Sequence, residues 1–496
     1  MGTPTPPIAL AEGSGSRWPT PHRPLEGLLA RLREAGVDVV TDAGAVREAS
    51  RDWWPLAMHW ALRGEVPAAG GALCRPSDSA QVAEVLRLCN DALVPVTAAG
   101  GRSGVCGASI PAFGGVVLDL TGLSGIVGVD DDSLLLDVRA GTFGADLERT
   151  LRDDHGLTLG HWPQSIDLST VGGWLACRGA GQLSTRYGKI EDMVVGLDVV
   201  LADGRTIHTG GAPRGASGPD LTQLFVGSEG TLGVITGARL RVHPAPTAEG
   251  RAAYGFPSFI DGLDACRRIL RRGGTPAVLR LYDEAESKRS HGADGATAVL
   301  LVLDEGDAVL VDATMALVRD ECAAAARLDD ALVEHWMHHR NDVSALEALT
   351  HKGFVVDTME IAAPWGRLPD IYHATRAAML AVPAARTATA HLSHSYLDGA
   401  CLYFTFAATP EPAAVEATYV ALWDAGTRAI LAAGGNLSHH HGVGINRARF
   451  LRDALGESFS VLAAAKNALD PNGILNPGKL GLPSPFGEVA WPEVGG

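Results

Sequence analysis

Leu25, Leu28, Leu29 and Leu32 recur at helical spacing, and the pattern over 24–60 predicts helix. Ser77-Asp78 precede a second amphipathic stretch with Val82, Val85, Leu86 and Cys89 on one face. Short apolar runs at 93–97, 116–120 and 134–138 predict strands. The runs 194–201 and 205–209 flank Asp203-Gly204, a hairpin signal. Further on, predicted helices (259–272, 309–326, 413–433) separate predicted strands (277–281, 298–303, 401–407), and a last helix falls at 458–469. With no regular βαβ alternation, the class is α+β. Within 402–406 the alternation is strict. Leu402, Phe404 and Phe406 share one face, while Tyr403 and Thr405 share the other.

Composition divides this pattern into segments. Residues 1–20 are rich in Pro, Gly, Ser and Thr and are expected to be disordered; 21–70 form an N-terminal helical segment. Residues 71–245 hold much of the chain's glycine, 60 of 496 residues in all, which implies tight turns or backbone pressed against a ligand. Residues 246–433 read as a second α+β domain, and 434–496 as a C-terminal segment carrying a histidine cluster. The net charge of −16 disfavours a nucleic-acid partner. No apolar run reaches the ~18 residues of a membrane span. Seven cysteines without short-spaced pairs fit a reducing compartment, and no signal peptide or peroxisomal tail is read, so a cytoplasmic place is expected.

Three loops carry the chemistry. The first is Ala98-Ala99-Gly100-Gly101-Arg102-Ser103-Gly104, whose unhindered amides suit an anion. The second runs from Gly160 to Trp174 and includes Gln164, Ser165, Asp167, Ser169, Thr170, Gly172 and Gly173. The third is Glu229-Gly230-Thr231-Leu232-Gly233-Val234-Ile235. Together, in this order and at these separations, they resemble the FAD-binding domain of the vanillyl-alcohol oxidase / p-cresol methylhydroxylase superfamily. The resemblance implies a two-subdomain FAD-binding domain over 71–245, a cap domain over 246–433, and a C-terminal histidine loop returning to the flavin. It also brings Cys177, Arg178 and Gly179 to the cofactor. Arg102-Ser103 stand where covalent members carry His, so non-covalent FAD is expected.

Within the superfamily the chain is most similar to the alkyldihydroxyacetonephosphate synthases. Gly399-Ala400-Cys401-Leu402-Tyr403-Phe404 and Leu437-Ser438-His439-His440-His441-Gly442 carry that likeness, with Leu279-Arg280-Leu281 and Ala363-Pro364-Trp365. The resemblance implies exchange of the acyl group of an acyl-dihydroxyacetone phosphate for an alcohol, as in ether lipid biosynthesis, with the ketone fragment held on flavin N5. Tyr403 and His439, His440 and His441 would then move protons, and Arg340 would hold an anion. Arg280 reads equally as an ion-pair residue. Tyr403, with an ordinary pKa near ~10, needs a positive neighbour to act as a base; the histidines and Arg340 are the candidates. On a strand-like path His440 would point away from His439 and His441.

The alternative is an FAD-linked 2-hydroxyacid dehydrogenase of the D-lactate or D-2-hydroxyglutarate type, or a flavin oxidase of secondary metabolism. Those dehydrogenases hold a metal with His and Glu. Here His394 is kept, but Tyr403 and His440 replace the next His and the Glu, so no metal is expected. Asn476-Pro477-Gly478-Lys479 nevertheless looks dehydrogenase-like. The expected partner is a small or lipid-like substrate, with peripheral membrane contact and a homodimer left open.

Overall fold

The computed structural model describes residues 6–13, 15–20, 25–342, 344–489 and 491. Two sheets build the glycine-rich half. Asp38–Val40, Ala72–Arg75, Val116–Asp119 and Val96–Ala99 form a four-stranded sheet in that order, the last three mutually parallel. The helix Ser79–Asp91 links two of its strands. It starts where Asp78 accepts a hydrogen bond from the Gln81 amide (2.8 Å) and buries Val82, Val85, Leu86 and Cys89 as the pattern predicts. Thr206–Gly210, Val194–Val200, Val234–Arg241, Leu135–Arg139 and Ile126–Asp130 form an antiparallel five-stranded sheet. The predicted hairpin is present, and its turn residue Gly204 has the positive φ (+85°) that Asp-Gly turns require.

The second half is one antiparallel sheet of seven strands: Ala326–Leu328, Ala248–Phe256, Ala298–Gly306, Val278–Tyr282, Ala385–Ser395, Gly399–Ala408 and Val355–Pro364. Leu402, Phe404 and Phe406 point into a core shared with Tyr372 and Trp423, from the helices Leu368–Leu380 and Val415–Ala432. Tyr403 and Thr405 are left on the other face. No helix of the described residues is long and apolar enough to cross a membrane.

The N-terminus differs from expectation. Residues 1–5 and 14 lie outside the described residues. Elsewhere in 1–20, Ile8 and Trp18 are buried, and Trp18 packs on Trp54 and Trp60 at 6.1 and 5.8 Å. Two apolar anchors outweigh the Pro/Gly/Ser composition around them. The predicted 24–60 helix is three short ones, Glu26–Glu34, Ala43–Ala49 and Pro55–Ala61, broken by the strand Asp38–Val40. That strand completes the edge of the four-stranded sheet, so the first half begins before residue 71.

Candidate functional site

The three sheets meet around a cavity of about 640 Å³. Ala98, Ala99, Gly100, Gly101, Arg102, Ser103 and Gly104, leaving the strand Val96–Ala99, form one wall. Gln164, Ser165, Ser169, Thr170, Gly172, Gly173, Cys177 and Gly179 form another; Glu229, Gly230, Gly233, Val234 and Ile235 a third. Thr170 caps the helix Val171–Cys177 by accepting from the Gly173 amide (3.3 Å), which turns the second loop toward the cavity.

Four expected cofactor residues stand elsewhere. Asp167 is exposed. Arg178 is an exposed left-handed helix end whose guanidinium meets Gln223 (3.2 Å) and Glu191 (3.6 Å). Thr231 is buried and bonded back to the Ser228 carbonyl (2.7 Å), and Leu232 packs in the core of the five-stranded sheet. Glu229 lines the cavity, but its carboxylate is spent on the Val443 amide (2.6 Å) and the Gly444 amide (2.8 Å to Oε2). It ties the third loop to the histidine loop.

At the other end the cavity is walled by Tyr403, His391, His394, His440, His441 and Arg280. Tyr403 stacks on His391 (4.8 Å, 19°) and donates to Thr358 Oγ1 (3.0 Å). His440 and His441 lie 6.0 and 5.5 Å from its ring. Burial pushes the Tyr403 phenol up, and the Thr358 bond and Arg280 do not offset it. The histidines supply no positive charge, because burial pushes His391, His394, His439, His440 and His441 all down. A protonated Tyr403 therefore stands beside neutral imidazoles. The expectation of a phenol lowered by cationic histidines is corrected.

The histidine loop is held by Glu360, a residue that sequence reasoning missed. Its fully buried carboxylate accepts from the His440 amide (2.9 Å), the His441 amide (2.6 Å) and Ser438 Oγ (2.8 Å), and pairs with the equally buried Arg447. Burial opposes its ionisation, yet Arg447, helped by the His441 backbone amide, holds it well below the usual carboxylate range. Drawing two successive amides to one carboxylate bends the chain, so His440 and His441 both face the cavity. The outlier is His439, not His440. His439 sits behind the wall, its Nε2 2.8 Å from Tyr396 Oη, its Nδ1 sharing a proton with His440 Nδ1 (2.9 Å), and its carbonyl accepting from Lys189 (2.7 Å). His394, His439 and His440 bring ring nitrogens within 4.8 Å of one another. Three imidazoles at this spacing could hold a metal ion, and Lys189 beside them is paired with Glu191 (3.1 Å).

Arg280 makes no carboxylate ion pair among the described residues. Its guanidinium donates to Tyr282 Oη (2.7 Å) and to His391 Nε2 (2.7 Å), whose other nitrogen meets Glu286 (3.0 Å). Arg340, which follows the helix Ala331–His339, also lines the cavity. It lies over the rings of Trp162 (4.7 Å) and Trp336 (5.8 Å) rather than among the histidines.

Residues 71–210 match the model of an FAD binding domain, and residues 245–480 that of the C-terminal domain of FAD linked oxidases. An uncharacterised FAD-linked oxidoreductase of Escherichia coli strain K12 is 31% identical over 91% of this chain and 98% of its own length. The chain belongs to the FAD-linked oxidases. Alkyldihydroxyacetonephosphate synthase of Dictyostelium discoideum is 30% identical, over 84% of this chain and 74% of its own. A glycolate oxidase subunit of Bacillus subtilis is 28% identical, over 82% and 88%. Among solved structures, an alkyldihydroxyacetonephosphate synthase superposes with a TM-score of 0.77 at 25% identity, covering 95% of this chain and 90% of its own. p-Cresol methylhydroxylase shares the fold at 0.72 and 17% identity, covering 92% and 97%.

The cavity of this FAD-linked enzyme fits its cofactor. Its walls at Gly104, Gly173 and Gly230 are bare backbone, leaving a trough that side chains would fill. Gly100 and Gly101 pack so closely on the second loop that a Cβ would strike Thr170 and the Leu168 carbonyl oxygen, respectively. Gly101→Ala is therefore expected to part the two loops and strip the flavin. Acid precipitation should release FAD from the parent protein into the supernatant and none from the variant. Yellow Gly101→Ala protein would refute the packing argument.

Proposed function

We propose that this flavoenzyme performs synthase-type exchange on a small phosphorylated acyloxy ketone, with FAD held non-covalently, no metal, and a cytoplasmic setting. The observation that carries the reading is one cavity wall holding a protonated Tyr403, the neutral imidazoles of His440 and His441, and an Arg280 with no direct carboxylate partner among the described residues. Bound FAD supplies an electron-accepting ring. A neutral buried imidazole can take a proton from the carbon beside the ketone at neutral pH. Tyr403 can donate to the departing carboxylate, and Arg280 can hold the substrate's anion by its planar fork. The C–O bond to the acyl group breaks, a C–O bond to the alcohol forms, and the alcohol's proton ends on the released acid, with no net redox change.

The same wall supports a second reading, oxidation of a 2-hydroxy acid, which the similarity to the glycolate oxidase subunit favours. A neutral imidazole would take the hydroxyl proton as hydride leaves the carbon. Anaerobic absorbance after chelator treatment separates the two. Isotopically labelled alcohol should enter an acyloxy-ketone phosphate while the flavin stays oxidised overall. Bleaching by a hydroxy acid without such exchange would establish the oxidoreductase.

A further inference from the structure

Beyond the reacting wall, the cavity runs under the helices Glu284–His291 and Ala331–His339, where its lining changes character. Trp336 lies at the centre of this arm. The Arg280 guanidinium is 5.7 Å from its ring centroid and that of Arg340 is 5.8 Å. Neither cation has a carboxylate partner among the described residues, and Arg340 Nη1 is buried with no hydrogen bond at all. The nearby Glu305 is taken by Tyr187 Oη (2.8 Å). His291, with both ring nitrogens buried and unpartnered, and His335 line the same arm.

Glu286 acts on Arg280 across His391, and Glu305 acts on Arg340 without touching it, so the two guanidinium groups on this aromatic plate feel carboxylates but lack direct partners, and a ligand is needed to complete their hydrogen bonds. A long alkyl chain offers neither charge nor hydrogen-bond acceptors, so seating it here would leave both cations unpaired. Anionic groups offer both, and a guanidinium fork matches carboxylate and phosphate oxygens alike. We infer that this arm is an anion subsite and that the substrate is short and carries two anionic groups, one for Arg280 and one for Arg340. This rests on the proposed use of the Tyr403 wall and narrows it. The group exchanged or oxidised there belongs to a small polar dianion, not to a lipid.

Binding to the oxidised holoenzyme, read as a flavin difference spectrum, tests this without turnover. The probes are butyrate, succinate, 3-phosphoglycerate and hexadecanol in micelles. Succinate and 3-phosphoglycerate should bind at least ~10-fold more tightly than butyrate. Arg340→Met should bring that ratio close to one with flavin content and butyrate affinity kept, and Arg340→Lys should restore part of it. Tighter binding of 3-phosphoglycerate than of succinate assigns one anion as phosphate; the reverse order assigns two carboxylates. Equal affinities for butyrate and the dianions, a ratio unmoved by Arg340→Met, or displacement of succinate by hexadecanol would overturn the inference. Dianion binding without exchange or hydroxy-acid oxidation would defeat the function proposed above and leave the subsite standing.

Discussion

Tyr403→Phe is expected to fold, keep its flavin and lose turnover by ~10²–10⁴-fold, the loss of one positioned acid, or about 3–5 kcal/mol of barrier. The ring stays stacked on His391, and only the hydroxyl bonded to Thr358 is removed. Because burial keeps the phenol protonated, its service is donation, and activity should not require an alkaline limb for its ionisation. Steady-state rates of exchange, with flavin content as control, measure this. A variant within a few-fold of the parent would make Tyr403 a packing residue. The histidines should differ in sensitivity: replacing His440 or His441 removes a group from the cavity wall, whereas His439 acts only through Tyr396 and His440.

Glu360→Gln should unfold the site rather than slow it. The substitution leaves Arg447 buried and without its counter-charge, a loss of ~3–5 kcal/mol. Flavin release on heating should move down by several degrees, and only part of that loss should return in the Glu360→Leu/Arg447→Met double variant, which buries no charge but leaves the His440 and His441 amides without an acceptor. The sign with pH follows from the depressed Glu360 pKa. Its stabilisation is present above the unfolded carboxylate value of ~4.3 and is lost as pH falls through the lower folded value. The parent should therefore lose this contribution progressively below pH ~4.3, and the Gln variant should lack that component of its acid limb. A Gln variant melting with the parent would show that the ion pair adds nothing.

Local signals made much of this legible. The period-two run 402–406 put Tyr403 on the cavity side, and the glycine loops announced their own close approaches. What escaped was non-local. Glu360 and Arg447 lie 87 residues apart, and nothing in either neighbourhood says that they meet. The orientation of the histidines depends on that meeting, so alternation along 439–441 misassigned the outlier. Glu229 was legible as a loop residue but not as a strut, because its amide partners lie more than 200 residues on. The resemblance offers Arg340 as an anion holder and a positive neighbour for Tyr403; in the structure it lies over two tryptophan rings, Trp162 and Trp336, which no local signal predicts.

The dehydrogenase-like Asn476-Pro477-Gly478-Lys479 run proves to be joinery. Leu475 pairs in parallel with Val96, at the root of the first flavin loop. The Asn476 side-chain Nδ2 donates to the carbonyls of Ala108 (2.9 Å) and Glu229 (2.6 Å), and Lys479, buried, donates to the Ile110 carbonyl (2.7 Å). During synthesis, Ala108 thus waits for Asn476, made 368 residues later, before the cofactor loops are braced. Closing so long a loop is entropically slow to achieve and cheap to keep. The bracing of the cofactor loops is in this sense set by topology, through contacts that span 368 residues.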